Sequence, residues 1–325
     1  MDRLWTWAQI GLLALLWGST FLWIELALEV LAPVQVTLVR CVLGSATLLL
    51  ACAAVGRRLP RDPATWGHVF VAALFCNALP FAMFSVGQQS IHSGVAGVLN
   101  ATTPLWSLLI GITIGLERGP RPGRMLGLLL GFAGVMLIFA PWQPNMPIGR
   151  GALPVVAAAV SYAIGFAYMS RHLVGTGIPT ISLSAAQLTA ATGLTALTLP
   201  FGGLAPVQLD LRAIAVLAIL GTVATGATFH LTYRIIAAEG ATNAAAVGYL
   251  LPVVSVGLGA ILLGEELSAR IVLGMTVVLA GVALTRRRTT ATPPARNLDG
   301  GPVSDTVNTP LMIHHTSRKA EDPRP

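Results

Sequence analysis

Apolar runs of about 20 residues recur along this chain, a length that marks segments crossing a membrane. They lie near 5–27, 33–54, 66–87, 92–115, 124–141, 151–171, 180–200, 211–233, 242–263 and 269–285. At 1.5 Å per residue each run crosses ~30 Å of hydrocarbon as a helix. Helices are required, because an open strand leaves backbone N–H and C=O groups unpaired in lipid. Charged residues make up only 10% of the chain and apolar residues 54%, against roughly 25% charge in a soluble domain. The expected fold is all-α and integral to the membrane, with ten transmembrane helices.

The arginines orient these helices. With the N-terminus in the cytoplasm, inner ends and loops hold Arg3, Arg57, Arg58, Arg61, Arg118, Arg121, Arg124, Arg171, Arg234, Arg286, Arg287 and Arg288. The outer side holds Arg150, Arg212 and Arg270. This bias fits the positive-inside rule and predicts a multi-pass plasma (inner) membrane protein with both termini cytoplasmic. It also accounts for the net charge of +7 without nucleic acid. The first run is too long for the apolar region of a signal peptide and lacks a clear cleavage site, so it is expected to be a retained helix. Cys41, Cys52 and Cys76 all fall inside apolar runs and read as small buried hydrophobes. Residues 286–325 are rich in Pro, Thr, Asn and Asp and are expected to be a disordered cytoplasmic tail.

The chain also repeats itself. Residues 100–137 superpose on 248–284: Pro104 matches Pro252 and Glu117 matches Glu265 at a shift of 148, while Gly127 matches Gly274 and Gly134 matches Gly281 at 147. The expected halves are residues 1–143 and 149–285. Five spans per half is an odd number, so the second copy enters the membrane from the opposite side. Two inverted five-helix repeats are the construction of secondary transporters, which alternate between two access states around a site near the bilayer midplane.

In these features the chain resembles the EamA-type ten-helix members of the drug/metabolite transporter superfamily. The resemblance rests on Trp17-Gly18-Ser19, Leu38-Val39-Arg40, Thr103-Pro104-Leu105 and Leu116-Glu117 in the first half. In the second half it rests on Leu251-Pro252-Val253, Leu263-Gly264-Glu265 and Leu279-Ala280-Gly281-Val282. The family's Gly-Glu pair is Leu116-Glu117 in the first copy. The resemblance covers residues 5–285 and implies movement of small metabolites without ATP. In agreement, there is no Gly-rich phosphate loop with a lysine, since Lys319 is the only lysine.

Polar groups at membrane depth are costly and mark candidate sites. Arg40 lies ~6 Å from the midplane, and its counterpart in the second copy is Gln187. Glu25 and Glu29 share a face of helix 1, and a Glu25–Arg40 contact would form a gate or a structural ion pair. Trp17, Ser19, Asn77, Asn100, Tyr162, Thr225 and Tyr249 are the candidate substrate-binding residues near the midplane. Trp17 and Tyr162 occupy nearly matching places and suit an aromatic wall for flat or cationic solutes. Each of these side chains also has a bland reading as core filler or interhelical hydrogen-bond glue. Pro104 and Pro252 each free a carbonyl one turn back and are candidate hinges. His230 is a candidate proton carrier, because an unperturbed imidazole titrates near neutrality; the alternatives are a merely hydrated histidine, a more deeply placed Glu25, or transport with no coupling. The glutamates at the turns, Glu117, Glu265 and Glu266, are expected to cap the following helices. The six histidines stand at no metal-ligand spacing, and no metal or cofactor is expected.

The function these features favour is secondary transport, with export of small metabolites such as amino acids or aromatic or cationic compounds. A membrane-embedded enzyme and a non-transporting sensor are the alternatives. The protein is expected to be a monomer or a homodimer.

Overall fold

The computed structural model describes residues 3–91, 93–116, 122–140, 142, 150–207, 210–254 and 268–285. All regular structure among them is helical. The helices are α1 (Arg3–Leu28), α2 (Pro33–Ala54), α3 (Pro63–Gly87), α4 (Val95–Thr113), α5 (Pro122–Phe139), α6 (Ala152–His172), α7 (Thr180–Ala196), α8 (Leu211–Glu239), α9 (Ala241–Val254) and α10 (Ala269–Thr285). Six of these stretches, in α1, α2, α3, α4, α6 and α8, are long and apolar enough to cross a membrane. Those in α5, α9 and α10 are apolar but shorter.

Helix ends follow local chemistry. Pro33 and Pro63 start α2 and α3, where a missing N–H costs nothing. Asp62 caps α3 by accepting from Thr65 N at 2.8 Å, which holds its carboxyl below the usual carboxylate range. Asp210 caps α8 by accepting from Ala213 N at 2.6 Å. These two caps are 148 residues apart, so the repeat reaches the helix starts as well. α8 runs to Glu239, beyond the expected 233, and stops at Gly240, whose φ of 84° ends it. The expected caps Glu117, Glu265 and Glu266, the end of helix 9 beyond Val254 and the tail from 286 lie outside the described residues.

Two irregularities also repeat. α3 widens to a π-helix over Leu74–Ala78 and α8 does so over Ile219–Ala227. Pro80 withholds the N–H that Cys76 O would otherwise accept, and Ser161 Oγ of α6 donates to the neighbouring Phe75 O at 2.7 Å. α4 and α9 are broken rather than continuous. α4 turns at Ala101–Thr102, between helical segments Ser93–Asn100 and Thr103–Thr113. α9 narrows to a 3₁₀ turn over Ala246–Tyr249. The prolines expected as hinges, Pro104 and Pro252, follow these breaks. Pro104 cannot donate to Asn100 O, and the Thr103 hydroxyl replaces that bond at 2.7 Å. At the matching place in α9, Leu251 stands where α4 has Thr103, so no hydroxyl answers Pro252 in this way.

Packing pairs corresponding helices of the two halves. Ser45 Oγ meets Thr189 Oγ1 at 2.9 Å and Cys52 Sγ meets Ile181 O at 3.5 Å, so α2 and α7 run antiparallel. α5 and α10 are antiparallel too: Gly127 faces Gly281, and Gly134 faces Gly274. A Cβ on Gly134 would lie 2.8 Å from Gly274 O, closer than real Cβ contacts allow, so only glycine permits this approach. Arg270 Nη1, at the start of α10, donates to Leu137 O and Ile138 O near the end of α5, at 2.8 and 3.1 Å. α3 packs on α6 as α8 packs on α1. Large apolar side chains such as Leu22, Leu50, Phe70, Leu109, Leu129 and Leu279 face outward, as in a protein solvated by lipid.

Candidate functional site

Buried polar side chains gather where the two halves meet. On α2, Arg40 is 3% exposed. Its Nε donates to Thr225 Oγ1 of the α8 π-helix at 3.1 Å, and its Cζ lies 3.6 Å from the centroid of the Phe81 ring. Thr225 in turn donates to Leu220 O, five residues back, which belongs to the widened turn. On α7, at the place matching Arg40, Gln187 Nε2 donates to Asn77 Oδ1 of the α3 π-helix at 2.6 Å. Gln187 Oε1 accepts from Tyr233 OH at 2.5 Å. Asn77 and Thr225 are 148 residues apart, so each π-helix supplies the partner for the opposite half's α2 or α7 residue. One pseudo-symmetric contact thus carries a cation on one side and a neutral amide on the other.

Beside Arg40 lies a cavity of about 560 Å³, counting its open mouth. α1 contributes Trp17, Thr20, Phe21 and Ile24, and α6 contributes Tyr162 and Phe166. Phe81, Phe84 and Phe229 come from α3 and α8. The broken helices supply Asn100 and Thr103 from α4 and Ala245, Gly248 and Leu251 from α9. The aromatic rings fall into two contacting groups. Trp17 stacks on Phe166 at 6.0 Å, Tyr162 leans on Phe166 at 5.8 Å and on Phe84 at 6.0 Å, and Phe81 meets Phe229 edge-on at 5.9 Å. Phe81 and Phe229 are equivalent in the two halves, 148 residues apart, so their contact lies at the centre of the repeat.

The predicted residues divide. Trp17, Arg40, Asn100 and Tyr162 line the cavity together. Thr225 stands behind it as the hydrogen-bond partner of Arg40, while Asn77 bonds to Gln187 off the lining. Ser19 bonds to Leu16 O of its own helix and does not reach the cavity. Tyr249 packs its ring on Gly131 of α5, away from the lining. Glu25 is half-buried on α1 outside the lining, and no ion pair joins it to Arg40, which takes Thr225 and Phe81 instead. Glu29 pairs with Arg212 at 3.5 Å on the surface. His230 also lies off the lining, and its Nδ1 has no hydrogen-bond partner among the described residues. The sequence reading omitted Phe81, Phe229, Phe166 and Thr103, although the 148-residue shift already links the first two.

An apolar exterior around a buried, partly polar cavity, walled by helices broken in mid-course, defines a multi-pass membrane protein that handles a solute. The chain belongs to the EamA-like transporter family, which it matches twice, over residues 5–140 and 149–287. It is similar to an uncharacterized transporter of Archaeoglobus fulgidus, 26% identical over 87% of this chain and 99% of that one. An uncharacterized protein of Pseudomonas aeruginosa is 31% identical over 74% of this chain and 80% of its own length. The uncharacterized inner membrane transporter YedA of Escherichia coli is 27% identical over 84% of this chain and 87% of its own. A solved protein structure superposes with a TM-score of 0.70 at 21% identity, covering 88% of this chain and 97% of the other, which establishes the likeness of fold. Family and relatives point to a transporter rather than an enzyme.

Proposed function

We propose that this chain is a secondary transporter that exports a small metabolite from the cell. Its ten helices form two inverted halves that rock around the cavity, in the plasma (inner) membrane with both termini in the cytoplasm. The observation that carries this reading is the paired breakage of α4 and α9 beside the cavity. Discontinuous helices in matching positions of two halves are where transporters place their substrate. The antiparallel packing of α2 on α7 and of α5 on α10 supports inversion of the halves. Such an arrangement has two equivalent packings, and exchanging them moves the cavity mouth from one side to the other.

Purified protein in liposomes tests the proposal. A preloaded panel of small metabolites is expected to include at least one that leaves protein-containing vesicles faster than protein-free ones, without ATP. Equal leak for the whole panel would contradict the reading.

A further inference from the structure

We infer that the cavity binds an organic monoanion, whose carboxylate docks on Arg40 while its ring-bearing body lies among the aromatic side chains. This deepens the transport reading and rests on it for movement, though not for binding. Arg40 is the one charged residue among the described residues that line the cavity. At 3% exposure it is inside the protein, where a cation is unfavourable unless an anion pairs with it. Among the described residues no carboxylate lies within ion-pair distance of it, and Thr225 accepts only its Nε–H. Its two terminal amino groups have no protein acceptor among those residues. A guanidinium presents five donors in a planar fork that matches a carboxylate bidentately. Thr225 on one edge and Phe81 against one face fix the orientation of that fork.

The second half of the site has no matching cation, because Gln187 occupies the equivalent place and is consumed by Asn77 and Tyr233. One cation calls for one negative charge. The solute's body is organic because most of the remaining wall is apolar, with the rings of Trp17, Phe21, Phe84, Tyr162 and Phe166 prominent in it. The same chemistry selects against the cationic solutes considered from sequence, since among the described residues no carboxylate lines the cavity to receive them.

Three probes of one shape test this on the full chain: 3-phenylpropionate, 3-phenylpropanamide and 3-phenylpropylamine. Sodium chloride is the inorganic-anion arm. Binding is read by the thermal shift of detergent-purified protein, and movement by liposome flux. The acid is expected to stabilise the protein while amide, amine and chloride do not. Arg40→Gln is expected to weaken acid binding at least about tenfold, the scale of a lost charge-assisted hydrogen bond, and Arg40→Lys to recover part of it. A response to amide or amine equal to that of the acid overturns the inference, as does an equal response to chloride or no response to any probe. The wild-type comparison decides the matter even if Arg40→Gln fails to fold. Binding of the acid without flux supports the anion site and counts against transport of that acid. Flux of the amide or amine in preference to the acid supports transport and overturns the anion site.

Discussion

The guanidinium of Arg40 lies against the ring of Phe81, with Cζ 3.6 Å from the ring centroid. Thr225 holds the other side of the group through Nε. Thr225→Val keeps the shape and removes the acceptor, leaving a buried donor unpaired at a cost of roughly 2 kcal/mol. The expected result is a lower melting temperature in detergent together with slower transport. Phe81→Leu is expected to cost about 0.5–2 kcal/mol through loss of the cation–π contact. Unchanged melting in both variants would show that neither group positions Arg40.

Gln187 joins Asn77 and Tyr233 in a buried chain. Gln187→Leu orphans Asn77 Oδ1 and the Tyr233 hydroxyl at once, and Asn77 Nδ2 already lacks a partner among the described residues. The expected loss is about 1–3 kcal/mol, toward the lower end because hydrogen bonds between membrane helices contribute modestly. Adding Asn77→Leu is expected to cost less than the two single changes summed. Strict additivity in a double-mutant cycle would argue that the two side chains do not interact.

Glycine spacing governs the α5–α10 contact. A Cβ on Gly281 would overlap Gly131 N, so Gly281→Ala is expected to destabilise by about 1–3 kcal/mol through overpacking. Gly193 of α7 has nothing within 4 Å of its Cβ position. Gly193→Ala is therefore expected to be neutral or slightly stabilising. Thermal melts of the two variants side by side check the contrast.

Much of this was legible in advance because membrane burial simplifies the code. Apolar runs located the helices, and the 147–148 shift paired Pro104 with Pro252 and Arg40 with Gln187. What stayed hidden was direction around each helix axis. Depth alone made Tyr249 and Ser19 resemble Trp17, yet the structure turns Tyr249 toward Gly131 and Ser19 back onto its own helix. The breaks in α4 and α9 were half-visible: proline marks a freed carbonyl, but whether a Thr103 hydroxyl answers it depends on side-chain geometry. The Glu25–Arg40 pair rested on opposite charge at similar depth, whereas Arg40 turns toward α8 and α3.

Orientation gives a separate expectation. Reporter fusions after Arg58 and after Arg171 should report the cytoplasm, and fusions at Arg150 and Arg212 the exterior, as the arginine bias requires. Arg58 and Arg212 on the same side would break the assignment of opposed halves.

The most direct measurement asks whether the cavity opens to both faces of the membrane. Thr20→Cys puts a thiol on the lining, while the native Cys41, Cys52 and Cys76 are at most 3% exposed and serve as the unreactive background. A membrane-impermeant methanethiosulfonate is applied to right-side-out cells and to inside-out vesicles. The account predicts labelling of the introduced thiol from each side. Labelling from one side only, however long the exposure, would contradict it.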